Sequence, residues 1–209
     1  DGHTSNFAVD EVAIEIQNLS FGFPFQAPLF RDLTVIFPQG SLNGIIGPAK
    51  EGKATFLRLL GQAILPAENM GHIFVPPHLR ILHVSADPCI LDLSLLKNII
   101  LGSDLNKVGG LTRVKHICKS LGFTDDWLRH LREEDLEGEE EREAHPAEKW
   151  SGTLTHTDLS RLTLARAFVM NPECLILHKP TLMFDDVQTE GIMYLMRQHV
   201  DERGIELPE

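Results

Sequence analysis

The chain has 209 residues, 43% hydrophobic and 23% charged, which suits one α/β domain, or one carrying an inserted subdomain, with a buried core. Its formal net charge of -11 and pI near 5.3 argue against a surface that holds nucleic acid or an anionic membrane, because phosphate backbones need clustered Lys and Arg. Cys89, Cys118 and Cys174 are odd in number and far apart, without CxxC spacing, so ordinary burial in a reducing, intracellular compartment is expected and a metal site is not.

No apolar run approaches the ~18 residues that span a bilayer, and the N-terminus resembles no signal peptide. The sequence lacks an initiator Met, so a processed or excised piece is one reading. Any membrane attachment would then lie outside it. Residues 1–11 are polar and read as a linker.

From Val12 the pattern changes. "VAIEIQNLSF" alternates like a strand, "FGFPFQAP" is a turn rich in Pro and Gly, and "LTVIFPQG" reads as a second strand. "LNGIIG" reads as a short apolar strand entering a Gly-Pro turn, and "KATFLRLLGQAI" has helical periodicity. "RILHVSAD" is expected to be another buried strand, followed by helices at "LSLLKNIILG" and "LTRVKHICKSLGF" in an inserted helical region at about 91–158. The acidic run from Glu133 to Glu143 reads as a solvated loop or frayed helix. "DLSRLTLARAFVM" is a helix with Asp158 near its positive end and Asn171-Pro172 closing it; the strand "ECLILHKP" and the amphipathic helix "VQTEGIMYLMRQHV" follow.

The stretch "GPAKEGKAT" fits G-x-x-x-x-G-K with Gly47, Gly52 and Lys53, placed between an expected strand and a helix. Backbone N–H groups and a helix N-terminus there make an anion cradle, and Lys53 can reach terminal phosphates. A second fixed point is "LARAFVMNPECLILHKPT", Leu164 to Thr181. With these two landmarks in order the chain resembles the nucleotide-binding domain of ABC transporter ATPases, in which L-A-R-A-L is followed by N-P, an apolar strand and D-E-P-T. The resemblance covers nearly the whole chain, 12–209. It implies an α/β P-loop NTPase fold of ABC type, with a mixed sheet core, an N-terminal antiparallel β region and an inserted helical subdomain. It also implies nucleotide-binding positions at Phe23, which would stack on adenine, and at Gly47, Lys50, Gly52, Lys53, Ala54 and Thr55.

The same resemblance exposes departures. Ala54 stands where the family has a Ser or Thr whose hydroxyl binds Mg²⁺, although Thr55 follows. Ala86 replaces a glutamine, His178 an Asp that supports the metal, and Lys179 a Glu that polarises water. "WSGT" at Trp150–Thr153 looks like the start of the family's L-S-G-G-Q signature but lies too far upstream. The preferred register sets Leu154, Thr155, His156, Thr157 and Asp158 on that motif, with Arg161 on its usual arginine, so that His156 and Thr157 replace both glycines. Removing one group that stabilises the transferring phosphoryl commonly costs ~2.7–4 kcal/mol in barrier. Losing the whole set implies abandoned hydrolysis.

His178 has no second His or Cys at ligand spacing, so a strand-end histidine is the plainer reading than a metal ligand. Glu51 is an acid where the family has a small residue, and Lys179 a base where it has an acid. Lys179 either pairs with Glu51, or replaces Mg²⁺ as counter-charge, or both residues point into solvent. The leading expectation is a catalytically impaired ABC-type domain with a scaffolding or regulatory role; ATP is the ligand it could hold and Mg²⁺ is not expected. The alternative is an exporter-like transporter domain that binds ATP to drive transmembrane segments outside this chain. Partners would be another ABC-type domain or other subunits, at the cytosolic or organelle-matrix face of a membrane, and no nucleic acid. The family's final strand and its switch histidine have no counterpart in "DERGIELPE".

Overall fold

The computed structural model describes residues 12–136, 152 and 154–207. The chain forms two compact units, Asp1–His83 and Val84–Glu209.

In the first unit, β1 (Ile14–Phe21) lies between β2 (Phe30–Phe37) and β3 (His72–Phe74), antiparallel to both. Alternation in β1 buries Ile14, Ile16 and Leu19. Between Ile16 and Leu19 the register shifts, and Asn18 takes a left-handed φ of 50°. The Thr34 hydroxyl accepts the Asn18 amide at 3.0 Å and so satisfies the donor that the bulge frees. Gly71 is required here, because a Cβ would lie 2.4 Å from the Asn18 carbonyl oxygen. Helix α1 (Lys53–Leu60) buries Phe56, Leu59 and Leu60, with the Phe56 ring edge-on to Phe30 at 5.8 Å and tilted against Phe37 at 6.4 Å. It ends at Gly61, earlier than the periodicity suggested.

The expectation of a strand at "LNGIIG" is corrected by the structure. Residues 42–47 have no strand assignment, and Ile45 and Ile46 are 38% and 94% exposed. An apolar run becomes a strand only when another strand pairs with it, and this run has no ladder partner among the described residues.

The second unit is built around α5 (His156–Met170). It carries buried residues nearly all round, Leu162 and Leu164 to Val169, as a core helix does. The capping box that starts it uses Thr155 and Asp158: Thr155 Oγ1 accepts the Asp158 amide at 3.2 Å and the Asp158 carboxylate accepts the Thr155 amide at 3.1 Å. Left-handed Asn171, followed by Pro172, ends it. Packed with α5 are α2 (Leu95–Ile100), capped by Ser94, and α3 (Gly110–Ser120), whose buried residues recur at helical spacing as Arg113, Val114, Ile117 and Cys118. The short α4 (Asp125–Arg129) and a 3-10 turn at Glu133–Leu136 follow. Most of the acidic run Glu133–Glu143, and Trp150, Ser151 and Thr153 of "WSGT", lie outside the described residues. Strand β5 (Cys174–Leu177) meets the end of β4 (Ile81–Val84), where the Val84 carbonyl accepts the His178 amide at 3.1 Å. Helix α6 (Asp186–Asp201), capped by Asp185, buries Ile192, Leu195, Met196 and His199.

Two buried arginines tie this core together by donating to backbone and side-chain amide oxygens. Arg166 on α5 donates to the Asn98 carbonyl and side-chain oxygens, both at 2.7 Å, and to the Cys89 carbonyl. Asn98, fully buried, spreads its amide over the Leu91, Leu93 and Ser94 carbonyls at 3.0–3.1 Å and accepts the Leu91 amide at 3.0 Å. Arg113 on α3 donates to the Ile205, Val108, Val169 and Phe168 carbonyls. Burial lowers the pKa of both guanidinium groups. Carbonyl dipoles stand in for solvent around each.

Asn98→Ala leaves Arg166 and several carbonyls short of partners, and stability should fall by about 3 kcal/mol, read as a lower urea midpoint at unchanged slope. His199 packs against Phe168 at 5.8 Å, with Nδ1 unpartnered; burial is the largest cause that lowers its pKa from 6.5, ahead of the opposing bond to the Pro172 carbonyl and the nearby Arg113 charge. Unfolded, it takes up a proton at a pH where the folded chain does not, so its contribution is present above about pH 6.5 and is lost as pH falls below that. The melting temperature should drop on going from pH 7 to 5, and His199→Gln should flatten that slope; an unchanged slope would locate the titration elsewhere.

Candidate functional site

Two clusters hold the residues that the sequence singles out, one in each unit. In the first unit the loop Gly47–Gly52 runs into α1. Lys50 and Gly52 have φ of 67° and 86°, and Gly52 is the N-cap. Both the backbone angle and the space demand glycine there, since a Cβ would sit 3.0 Å from the Phe30 ring. No side chain caps α1 and no acid lies in its first turn, so the amides of Lys53, Ala54 and Thr55 form a bare positive helix end. Lys53 Nζ folds back on the loop, donating to the Gly47 carbonyl at 2.7 Å and to the Pro48 carbonyl. An ammonium so placed stands over the loop and carries no carboxylate partner among the described residues. Glu51 is exposed, and its Oε2 lies 3.8 Å from where a Cβ on Gly47 would be. Phe23 is 40% exposed and stands edge-on to Phe21 at 5.3 Å, leaving a face open.

In the second unit, Ala86, His178 and Lys179 come together on one small cleft that is open to solvent. The loop after β4 supplies Ser85, Ala86 and Pro88, the end of β5 supplies Leu177 to Pro180, and α5 supplies Ser160, Thr163 and Leu164. The α5 hydroxyls were not legible as site residues. Their only sequence signal is the i, i+3 spacing of Ser160 and Thr163, which puts both on one side of the helix. Lys179 is exposed, with a left-handed φ of 53°, and makes no ion pair among the described residues.

The signature-like residues Leu154, Thr155, His156, Thr157 and Asp158 start α5. The Asp158 carboxylate already occupies the helix end: it takes the Thr155 hydroxyl at 2.6 Å and the Arg161 guanidinium at 3.1 Å, with both charged side chains largely buried. Arg161 also lies 5.9 Å over the Phe184 ring. The Thr157 hydroxyl donates to the Met183 carbonyl at 3.0 Å, while His156 is exposed. A further anion at this end would meet a carboxylate.

Among the described residues no three His, Cys, Asp or Glu side chains cluster as metal ligands. None of the described helices is long and apolar enough to cross a membrane. Burial pushes the Cys118 thiol up to about 12 and raises Cys174 as well, which disfavours the thiolate at both.

No family model matches the chain. It is 28% identical over 188 residues to ABC transporter I family member 17 of Arabidopsis thaliana, covering 85% of this chain and 64% of that protein. It is 28% identical over 209 residues to the phosphate import ATP-binding protein PstB 1 of Vibrio parahaemolyticus, covering 92% and 72%. At the same identity it matches the mating factor M secretion protein mam1 of Schizosaccharomyces pombe over only 14% of that protein's length. Among solved structures, a bacterial Atm1-family ABC exporter with ATP bound superposes with a TM-score of 0.68 at 20% identity, over 92% of this chain and 33% of the other. An ABC transporter-type ATP-binding protein from Pyrococcus furiosus gives a TM-score of 0.69 at 20% identity, over 95% and 92%. The chain therefore has the P-loop NTPase fold of ABC type, and the curated proteins it is similar to include ATP-binding proteins of ABC transporters.

Proposed function

We propose that this is an ABC-type ATP-binding-like domain with impaired hydrolysis, acting as a structural, regulatory or scaffolding part of a larger assembly. The observation that carries this reading is a split in the site's chemistry. The anion cradle of the first unit is kept, with a bare α1 end and Lys53 poised over Gly47, whereas the positions that resemble metal and water ligands carry other chemistry. Mg²⁺ demands oxygen ligands in near-octahedral array. In the first unit Ala54 brings a methyl group; in the second Ala86 brings a methyl group, Lys179 a cation and His178 an imidazole, and none of the four side chains offers that ion an oxygen.

The residues present would bind rather than react. Lys53 and the amides of Lys53, Ala54 and Thr55 would hold phosphate oxygens, Phe23 would cover adenine with its open face, and Glu51 would weaken the hold by opposing phosphate charge. The carboxylate inside the α5 capping box argues that the signature-like end does not take a phosphate from a partner domain.

A second reading is favoured by the relatives, which include importer ATP-binding proteins and secretion or permease proteins. In it the chain is the nucleotide-binding domain of an exporter-like transporter, held at the cytosolic or organelle-matrix face of a membrane by transmembrane partners. In both readings the partners are another ABC-type domain or other subunits, and nucleic acid is not among them.

Calorimetric titration with ATP, first in Mg²⁺ and then in EDTA, separates the readings. An impaired domain should show equal affinity in the two buffers, phosphate release at background, and a loss of about 10–100-fold in affinity with Lys53→Ala, the worth of a charge-assisted bond. Tighter binding in Mg²⁺ with measurable turnover would favour the transporter reading; no binding in either buffer would leave a scaffold without nucleotide.

A further inference from the structure

The segment between β2 and α1 carries a covalent chemistry that ligand binding does not use. Asn43 is followed by Gly44, and every other asparagine of the chain is followed by a residue with a side chain. The amide carbon of an asparagine and the next backbone nitrogen can close a five-membered ring, and glycine is the successor that crowds this closure least. Asn98, by contrast, is fully buried within α2, and Asn171 precedes Pro172, which has no N–H to lose.

The structure leaves this pair open to that reaction. Residues 42–47 have no strand assignment, and Asn43 and Gly44 are both exposed. The Gly44 amide donates to no acceptor among the described residues, so no hydrogen bond has to break before its nitrogen turns toward the side chain. Asn43 Nδ2 donates to Ser41 Oγ at 2.8 Å, and the Ser41 hydroxyl donates in turn to the Pro38 carbonyl. That contact falls on the nitrogen that would depart, and Oδ1 has no partner among the described residues. Gln39 also precedes a glycine, but it would have to close a six-membered ring, and its amide is held by the Val12 carbonyl at 2.8 Å.

We propose that Asn43 is a site of spontaneous deamidation. The Gly44 nitrogen, once its proton has passed to hydroxide, bonds to Asn43 Cγ; the Cγ–Nδ2 bond breaks and ammonia leaves with a proton from water. Water then opens the succinimide at either carbonyl, giving aspartate or isoaspartate at position 43, and nothing is oxidised or reduced. Either product adds a negative charge to a chain that already stands at -11. Isoaspartate also lengthens the backbone by a methylene just ahead of the Gly47–Gly52 loop. The reaction lies wholly within the first unit and does not depend on nucleotide binding.

The test is incubation of the whole folded chain in mildly alkaline buffer, beside a sample unfolded in guanidinium chloride, followed by tryptic mass mapping over days. The tryptic peptide 32–50 should gain the mass of an OH that replaces an NH2. Fragmentation should place that gain at Asn43 and not at Gln39, and ion exchange should show a growing acidic species. The folded chain should react within about tenfold of the unfolded one, the protection expected of a segment that opens at little cost. The rate should rise in proportion to hydroxide. Gly44→Ala should lose the modification in the same incubation; Gly44 lies outside the left-handed region and an added Cβ meets no atom within 4 Å, so that variant keeps the fold. A gain placed at another residue, a rate indifferent to hydroxide, an unchanged rate in Gly44→Ala, or protection by folding greater than about tenfold would overturn the proposal. Because the comparison of folded with unfolded chain uses the unmodified sequence, it decides the matter without any variant. Failure of ATP to bind would count against the nucleotide reading and not against this one.

Discussion

The burial of the Arg166 guanidinium against backbone oxygens is the constraint on which the second unit depends. A full charge removed from water costs several kcal/mol unless dipoles surround it, and the carbonyls of Cys89 and Asn98 with the Asn98 side chain provide that shell. In doing so they fix the chain at 89–98 against the middle of α5. The loop Ser85–Pro88 leads directly into this clamped segment, so the cavity wall that it forms is anchored to the helix that forms the opposite wall. Arg113 does the same at the far end of α5, joining α3 to the Ile205 carbonyl. The helix that carries Ser160 and Thr163 is thus held through its C-terminal half by charge–dipole contacts, with Leu162, Leu164 and Phe168 packed in the core beside them.

Much of this was legible in the sequence, and the reasons for the remainder are physical. The β1 alternation, the 3.6-residue periodicity of α3 and α6, and the Asn171-Pro172 stop of α5 come from local sequence alone, and each element appears within a few residues of where the pattern sets it. Asp158 was legible as a carboxylate suited to a helix N-terminus; that it also closes a capping box with Thr155 depends on one rotamer. The three-residue β3 has too little pattern to be read, because only its pairing with β1 makes it a strand. The failure at "LNGIIG" has the same origin in reverse: β-forming residues are necessary for a ladder, but the partner strand decides. Buried Arg113 and Arg166 were unreadable as core, since arginine on a helix normally marks the wet face.

At the candidate sites the residue types were legible and their states were not. The sequence marked Ala86, His178 and Lys179 as departures, and the fold brings all three onto one cavity. It could not say that Lys53 rests on its own loop carbonyls, nor that the α5 hydroxyls spend their protons within the helix. Those are hydrogen-bond assignments, and only geometry fixes the direction of a hydroxyl. The contrast between an open helix end at α1 and a carboxylate-filled one at α5 also appears only in three dimensions.

The three-stranded order β2-β1-β3 leaves the outer sides of β2 and β3 without a ladder partner among the described residues. Ile36 on β2 and Phe74 on β3 are exposed beside those open backbone groups. Such margins invite edge-to-edge association between molecules, which a net charge of -11 opposes by mutual repulsion at neutral pH. That repulsion vanishes near the pI of about 5.3. Colloidal behaviour is therefore tied to acidity through the first unit's margins, and solubility is expected to be lowest in mildly acidic buffers.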